Sequence, residues 1–386
     1  MIAAFFLTYA GVSLFNSVNA LRRPVIPGTR FPPLWLPGMI VSELAATVFL
    51  SRLFIGAGFA AVGAVGTPAG LAALAVLTMA QLTLLPQFVR TVQARRQAVG
   101  PIPRASGWKG VVWGRPSVPD DIELVTAIRY HGDLTFDLYR ARHRSGQAPV
   151  LVYVHGGSWR GGDPHTAGRA MFHALARSGW AVATIRYPLS PAATFPDHLI
   201  GVKRALAWIR AEGASLGLDP DRIAIGGGSA GGHLAALAAL TANRPELQPG
   251  FEDADTSVRS CVPMYAIFDF VNRNRARWDW PLIPRDVMKS RPHEDPERYA
   301  LASPLDQVGP HAPPFLVIHG GNDSLVPPRE AHIFVQALRE VSTQPVEYLE
   351  VVGAQHAFDA ITSTRTRAVA TRILAFLETT VATARA

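Results

Sequence analysis

A serine among small residues is the first position at which this chain could carry out chemistry. Ser229 lies in GGSAG, residues 227–231, between the apolar run RIAI and the helical stretch HLAALAAL. This G-x-S-x-G pattern is typical of a sharp strand-to-helix turn that exposes a serine hydroxyl at the end of a strand. Small neighbours suit that turn because it brings the backbone and the helix close together. The pattern indicates a nucleophilic serine.

A serine hydroxyl becomes a good nucleophile when a base removes its proton and a carboxylate orients that base. His356 in GAQHAF and Asp323 in HGGNDSLVP each follow a predicted strand, and the chain order Ser229, Asp323, His356 is the one expected for this turn. Asp359 competes for the role of the acid, but it lies only three residues after the histidine. We therefore expect Asp323 to be the acid and His356 to be the base.

Acyl transfer also needs backbone N–H groups that stabilise the negative oxygen of the tetrahedral intermediate. Ala230 follows the serine at a predicted helix N-terminus, and HGGSW, residues 155–159, follows an earlier predicted strand. We expect the N–H groups of Gly157, Ser158 and Ala230 to form this oxyanion hole, with His155 holding the loop in place.

The same glycines also fit G-x-G-x-x-G, residues 226–231, which is a pattern of dinucleotide-binding turns. That pattern should follow the first strand of its domain and precede an acidic residue at the end of the next strand. Here it follows a middle strand, and Glu252 lies in ELQPGFEDADT, which does not resemble a strand end. The histidines have no metal-binding spacing, and no carboxylate cluster suggests a cation site. The sequence therefore predicts neither a cofactor nor a metal.

The elements around these residues alternate between short β-rich runs and helical stretches after residue 108. Such alternation predicts a mainly parallel sheet covered by helices on both faces, with the active site at the carboxyl ends of the strands. ELVTAIRYHG and LTFDLYRAR precede it as an antiparallel hairpin. The other predicted strands are APVLVYVHGG, WAVATIRYP, RIAIGGG, SCVPMYAI, PFLVIHGG and VEYLEVVG. The predicted helices cover residues 166–178, 197–213, 229–242, 328–342 and 364–381.

The N-terminal third has a different composition, since residues 53–89 contain no charged side chain. A bilayer core about 30 Å thick is crossed by roughly 20 apolar residues in a helix. We predict a retained helix over residues 1–20 and a helical hairpin of residues 41–65 and 69–89. Glu43 and Arg52 fall within the hairpin, so a helix at the bilayer surface, or an apolar cap on the catalytic domain, is the alternative to a spanning helix.

Arginines flank these apolar segments, and the positive-inside rule therefore predicts a membrane protein whose catalytic domain is cytoplasmic. We expect residues 1–90 to contact the membrane. The predicted domains are an apolar helical region, residues 1–98, and a catalytic domain, residues 108–384, joined by the linker GPIPRASG. The net charge of +8 contains no block of like charge, which argues against nucleic-acid binding. Cys261 is the single cysteine, so no intrachain disulfide can form.

In these motifs the chain resembles the α/β-hydrolase family. Within that family it resembles the esterase and lipase branch, which is similar to hormone-sensitive lipase and to the ferulate and acetyl esterases. HGGSW, LDPDRIAIGGGSAGGHLAAL, HGGNDSLVP and GAQHAF carry this resemblance over about residues 120–380. The acidic stretch GFEDADTSV and the apolar N-terminal third are similar to actinobacterial membrane-linked carboxylesterases. The chain departs from the usual HGGG and GDSAGG at Ser158 and Gly228. The resemblance implies hydrolysis of carboxylic esters through an acyl-enzyme on Ser229.

A segment over residues 269–302 lies where such hydrolases place an acyl or alcohol pocket, and Trp278, Trp280 and Leu282 either line that pocket or pack the segment onto the domain. A location at the membrane favours short- to medium-chain acyl esters or lipid-derived esters as substrates. Two other functions remain open at this stage. One is an amidase or formamidase that uses the same triad, and the other is a membrane-tethered scaffold without turnover.

Overall fold

A computed structural model of the chain describes residues 1–21, 34–97 and 118–382, and the predicted linker at residues 100–107 lies outside them. Five helices form the N-terminal region, and an α/β domain follows. The N-terminal helices are α1 (Ile2–Leu21), α2 (Trp35–Glu43), α3 (Ala45–Ala61), α4 (Pro68–Leu82) and α5 (Leu85–Arg96).

The α/β domain is built on one eight-stranded sheet in the order β1-β2-β4-β3-β5-β6-β7-β8. The strands β1 and β2 form the predicted antiparallel hairpin, β2 pairs antiparallel with β4, and the remaining pairs are parallel. This confirms the predicted α/β-hydrolase fold with a mainly parallel central sheet, preceded by an all-α apolar N-terminal region. The strands are β1 (Ile122–His131), β2 (Leu134–Ala141), β3 (Ala148–Val154), β4 (Ala181–Ile185), β5 (Leu218–Gly228), β6 (Ser260–Met264), β7 (Phe315–Gly320) and β8 (Val346–Val351).

Helices cover both faces of this sheet because alternate strand residues point to opposite sides. Val150 and Val152 of β3 belong to the core on one face, whereas Leu151 and Tyr153 belong to the core on the other. The helices of this domain are α6 (Arg169–Arg177), α7 (Asp197–Glu212), α8 (Ala230–Leu240), α9 (Pro296–Leu301), α10 (Arg329–Val341) and α11 (Thr364–Leu377). Helices α7, α8 and α10 cover the first face, and α6 and α11 cover the second.

The predicted hairpin is observed as α3 and α4, which run antiparallel, with a hydrogen bond from the end of α4 to the start of α3. Its first helix begins at Ala45 rather than at residue 41, because α2 and α3 meet at a bend of 90°. Helix α4 packs chiefly along α1, and the two run in the same direction. Phe6 near the start of α1 packs on Ala73 of α4, and Ala20 near its end packs on Leu84. The bend turns α2 onto the α/β domain, and α3 then leads away from that domain.

Two segments of the described N-terminal region, α1 and the combined α4 and α5, are long and apolar enough to cross a membrane. Among the described residues, Ile2–Leu21 and Pro68–Arg96 meet that description, and the bent pair α2 and α3 would be a third span if it is counted as one. Their outer surface is apolar and exposed, with Phe5 64% and Phe54 81% accessible. Within the described residues no protein layer covers this surface. A cap on the α/β domain of a water-soluble protein would not expose such a large apolar surface.

The two charges of the predicted hairpin face protein. Glu43, at the end of α2, forms a buried ion pair with Arg365 of α11 and accepts a hydrogen bond of 2.7 Å from Ser363 Oγ. The Arg52 guanidinium in α3 donates to Ser17 Oγ at 2.6 Å and to the Ser13 carbonyl oxygen at 2.9 Å, both in α1. Neither charge therefore needs a partner from lipid.

Replacing Glu43 with glutamine is expected to lower the stability of the protein substantially. The side chains of Arg365 and Glu43 are 1% and 0% exposed, and removing one charge of a buried pair costs about 3–5 kcal/mol because the other stays buried and unpaired. Thermal unfolding in detergent measures this effect. Glu347→Gln is the control, because its partner Arg372 is more exposed and such pairs contribute about 0–1 kcal/mol. Equal unfolding midpoints for the two variants would contradict the expectation.

Candidate active site

Ser229 lies at the turn between β5 and α8, with φ 55° and ψ −121°. This backbone conformation is sparsely populated for a residue with a side chain, so the surrounding packing must hold it in place. The neighbouring glycines explain how. A Cβ at Gly231 would lie 2.0 Å from the Val154 carbonyl oxygen, and one at Gly227 would lie 2.5 Å from the same atom. The glycines let α8 start directly against the end of β3, which points the serine outwards.

The structure brings Ser229, His356 and Asp323 together from three different loops. His356 Nε2 lies 3.0 Å from Ser229 Oγ, and His356 Nδ1 lies 2.7 Å from Asp323 Oδ2. Because a carboxylate only accepts hydrogen bonds, Nδ1 carries the proton and Nε2 is left to accept one from the serine hydroxyl. This arrangement can remove a proton from serine.

The carboxylate of Asp323 is fully buried, yet its surroundings favour the charged form. Burial alone would raise its pKa, but attraction to His356 and hydrogen bonds from His319 and His356 outweigh burial and lower the pKa to about 2. The backbone N–H groups of Leu325 and Val326 donate to Oδ1 at 2.9 Å and 2.8 Å. Asp323 is therefore ionised at neutral pH and held in a fixed orientation.

Asp359, the competing acid in the sequence, makes a different contact. It accepts a hydrogen bond of 2.5 Å from Tyr265 Oη, and burial raises its pKa to about 6. The ring of Tyr265 packs nearly edge-on against His356, with the ring centres 4.9 Å apart. Tyr265 was not among the predicted site residues, although it follows β6 directly and so lies at the same edge of the sheet as Ser229, Asp323 and His356.

Replacing Asp359 with asparagine is expected to change how stability depends on pH. The raised pKa means that the folded state binds the Asp359 proton more tightly than the unfolded state does. This carboxyl therefore favours folding at low pH, and its contribution is lost as pH rises from about 4 to about 6, at most about 3 kcal/mol. An asparagine side chain cannot ionise, so the stability of the variant should lose the part of its pH dependence that comes from this carboxyl. Unfolding midpoints between pH 4 and pH 8 measure it, and parallel curves would contradict the assignment.

The HGGSW loop lies beside the serine, as predicted. Gly157 has φ 132° and Ser158 has φ 56°. A Cβ at Gly156 would approach Ser229 Cβ to 3.2 Å. His155 is buried, its Nδ1 lies 2.8 Å from the Gly156 carbonyl oxygen, and its ring stacks on another aromatic ring, so its contacts are those of a residue that holds the loop.

The backbone N–H groups of Gly157, Ser158 and Ala230, the residues predicted to form the oxyanion hole, have no acceptor in the described part of the chain. Ala230 is the first residue of α8, where N–H groups lack a partner within the helix and carry a partial positive charge. These donors remain available to an oxygen bound between the loop and the helix.

A cleft of about 620 Å³ opens beside Gly157 and Ser158. The segment 269–302 supplies one wall, and of the three residues considered there, Trp280 and Leu282 line the cleft whereas Trp278 packs against the core. Trp159 is buried and donates from Nε1 to His233 Nδ1, so it supports the loop from behind. The lining residues are Gly157, Ser158, Arg160, Gly161, Ser190, Pro191, Trp280, Pro281, Leu282 and Arg285.

Comparison with known proteins identifies relatives of the whole chain and of its catalytic part. The BD-FAE family matches residues 136–338. "Probable carboxylic ester hydrolase LipM" of Mycobacterium tuberculosis is 37% identical over an alignment of 415 residues, gaps included, which covers 98% of this chain and 93% of LipM. "Esterase LipQ" of the same organism is 43% identical over 232 residues, which cover 60% of this chain and 55% of LipQ. The LipM match includes the N-terminal helices.

Solved structures agree with the fold. A truncated carbohydrate esterase from gut microbiota has a TM-score of 0.59 at 20% identity, over 72% of this chain and 100% of that protein. An esterase from Thermogutta terrifontis has a TM-score of 0.51 at 22% identity, over 62% of this chain and 84% of that protein. The family match and the LipM match over almost the full length extend this agreement from fold to activity. The chain therefore belongs to the BD-FAE family of α/β-hydrolase esterases and is a carboxylic ester hydrolase.

Proposed function

We propose that this carboxylic ester hydrolase works through an acyl-enzyme on Ser229, with His356 as the base and Asp323 as the acid that orients it. The observation that carries this proposal is the continuous hydrogen-bonded line from Ser229 Oγ to His356 Nε2 at 3.0 Å and from His356 Nδ1 to Asp323 Oδ2 at 2.7 Å. Nucleophile, base and orienting acid stand in the order that serine acyl transfer requires.

In the first half of the reaction, His356 Nε2 takes the hydroxyl proton while Ser229 Oγ bonds to the ester carbonyl carbon. The carbonyl oxygen becomes negative and accepts hydrogen bonds from the N–H groups of Gly157, Ser158 and Ala230. The C–O bond to the alcohol then breaks, and the imidazolium gives its proton to the departing alkoxide. Water repeats these steps on the acyl-enzyme, with His356 again as the base, and releases the acid.

The proposal includes a membrane location for the enzyme. Residues 1–98 would form the membrane-associated region, and residues 108–384 would form a catalytic domain on the cytoplasmic side. Asn322 Nδ2 donates to the Ala20 carbonyl oxygen at the end of α1, and Gln97 Nε2 donates to the Glu350 carbonyl oxygen just beyond α5. The apolar spans Ile2–Leu21 and Pro68–Arg96 therefore both end at the catalytic domain. Basic residues in the last turn of α5 lie at this end, where the positive-inside rule expects the cytoplasm.

The proposed substrates are short- to medium-chain acyl esters or lipid-derived esters. Trp280 and Leu282 give the cleft an apolar wall that would accept an acyl chain. Arg160 and Arg285 also reach the cleft, and both pair with Asp286. Asp286 thus balances one of the two positive charges at the cleft.

Initial rates on p-nitrophenyl esters from acetate to palmitate, alongside the matching anilides, test this proposal. We expect the esters to turn over far faster than the anilides, with the highest kcat/KM at short to medium chains. Faster anilide hydrolysis would favour an amidase, and a folded protein inactive on both would favour a scaffold.

Two substitutions at Leu282 examine the cleft within the same series of esters. Leu282→Trp should shift the best chain length downwards because a larger side chain fills the wall, and Leu282→Ala should shift it upwards. Two substrates that differ by one methylene in an apolar pocket differ in kcat/KM by roughly 10-fold or more. The two variants control for each other, since general damage would lower all rates alike. Unchanged profiles in both variants would remove Leu282 from the acyl pocket.

A further inference from the structure

The N-terminal helices contact the loops that carry the acid and the base, directly beside those residues. Asn322, which precedes Asp323, donates from Nδ2 to the carbonyl oxygens of Ala20 and Leu21 at 3.2 Å and 3.3 Å. Trp35, the first residue of α2, packs against His356 with the ring centres 6.0 Å apart and the ring planes at 86°. An anchor that served only to hold the enzyme at a membrane would not need to reach these positions.

Two aromatic rings hold the imidazole of His356. Tyr265 packs against it at 4.9 Å from the catalytic domain, and Trp35 packs against it at 6.0 Å from the N-terminal helices. Perpendicular packing of this kind is favourable and depends on ring orientation. Asp323 fixes the imidazole through one hydrogen bond, and the two rings limit how far it can tilt about that bond. Trp35 also packs against the core of the α/β domain, and it is not among the residues that line the cleft.

Polar contacts hold Trp35 in its position. Asn19 in α1 donates from Nδ2 to the Leu34 carbonyl oxygen at 2.7 Å, just before Trp35. One turn further along α2, a Cβ at Gly38 would lie 3.1 Å from Asn19 Nδ2, which is a tight approach, and 3.5 Å from Gln355 Nε2, so α2 lies directly against both side chains. Gln355 Oε1 in turn accepts from the N–H and the hydroxyl group of Ser324 at 3.2 Å. The end of α1, the start of α2 and both triad loops form one connected unit.

We propose that Trp35 is a positioning residue of the active site, through which the N-terminal helices set the orientation of His356. Turnover then depends on these helices being seated on the catalytic domain. This inference rests on the proposed function, because it requires His356 to be the base. It adds to that function a direct structural link between the apolar helices and the step in which serine loses its proton.

Three variants of Trp35 in the full-length protein test the proposal. Trp35→Ala removes the ring, Trp35→Leu keeps apolar volume without a ring, and Trp35→Phe keeps an aromatic ring. Trp208→Ala is the matched control, since Trp208 is also partly buried and packs at a steep angle against a ring, that of Phe136, in another part of the domain. For each protein, kcat and KM on p-nitrophenyl acetate, the rate of labelling by a fluorophosphonate and the unfolding midpoint are measured.

We expect kcat and the labelling rate to fall roughly 10- to 100-fold in Trp35→Ala and Trp35→Leu, because a small misplacement of a catalytic group can cost about 10²-fold. KM for the small acetate ester should change less than about twofold, Trp35→Phe should recover most of the rate, and Trp208→Ala should keep it. If Trp35→Ala does not fold, Trp35→Leu decides the question. The proposal is overturned if the folded Trp35 variants keep the wild-type kcat, or if Trp208→Ala loses as much. An inactive, unlabelled wild-type protein would instead refute the proposed function.

Discussion

Alanine at position 229 is expected to abolish nearly all ester hydrolysis while leaving the protein folded. The proposed mechanism has no other nucleophile, and losing one member of such a triad costs roughly 10⁴-fold or more in kcat. The Ser229 side chain bonds only to His356 among the described contacts, and alanine keeps the Cβ that the turn already accommodates. The unfolding midpoint should therefore move little. Rates on p-nitrophenyl acetate and labelling by a fluorophosphonate measure the loss.

Ser303→Ala is the matched control for this experiment. Ser303 is also buried, but its hydroxyl donates to the Tyr299 carbonyl oxygen and accepts from the Phe270 N–H, away from the cleft. It should keep both activity and label. Substantial hydrolysis by folded Ser229→Ala protein would mean that another group attacks the ester, and the acyl-enzyme proposal would then fail.

Asparagine at position 323 is expected to lower kcat by about 10⁴-fold. Asp323 is held ionised, with its pKa lowered to about 2, and it receives the Nδ1 proton of His356. An asparagine can turn its amide NH₂ group towards Nδ1, which leaves the proton on Nε2, where it blocks transfer from serine. It also removes the negative charge that stabilises the imidazolium as it forms. Steady-state rates at neutral pH, with circular dichroism to verify folding, measure the effect.

Asp359→Asn is the control for this change, because it makes the same substitution on another buried carboxyl that interacts with His356. The Asp359 carboxyl accepts a hydrogen bond from Tyr265, and it is not part of the hydrogen-bonded line from His356 to Asp323. We expect this variant to keep kcat within about tenfold, since it loses no member of the triad. The opposite pattern, with Asp323→Asn active and Asp359→Asn inactive, would reverse the assignment of the acid.

The catalytic domain was largely predictable because its signals are local. The helix predicted over residues 328–342 is observed as Arg329–Val341, and that over residues 197–213 as Asp197–Glu212. The proximity of Ser229, Asp323 and His356 was also predictable, because parallel strands end at one edge of the sheet and each of these residues follows a strand.

The N-terminal region was less predictable because its geometry depends on distant residues. The bend between α2 and α3 brings Glu43 to Arg365, and these two residues are 322 positions apart in the chain. Residues 39–55 contain no glycine or proline that would indicate that bend. Trp35 and Tyr265 were missed for the same reason, since each is adjacent to His356 only in the folded protein.

Mass spectrometry of a trapped intermediate tests the central claim most directly. The enzyme is mixed with p-nitrophenyl butyrate, quenched with acid during turnover, digested and analysed for peptides that carry a butyryl group. The account predicts one butyryl group on Ser229 in the wild-type protein and none in Ser229→Ala. An enzyme that turns over the ester while its butyryl group is found on a different residue would contradict the account.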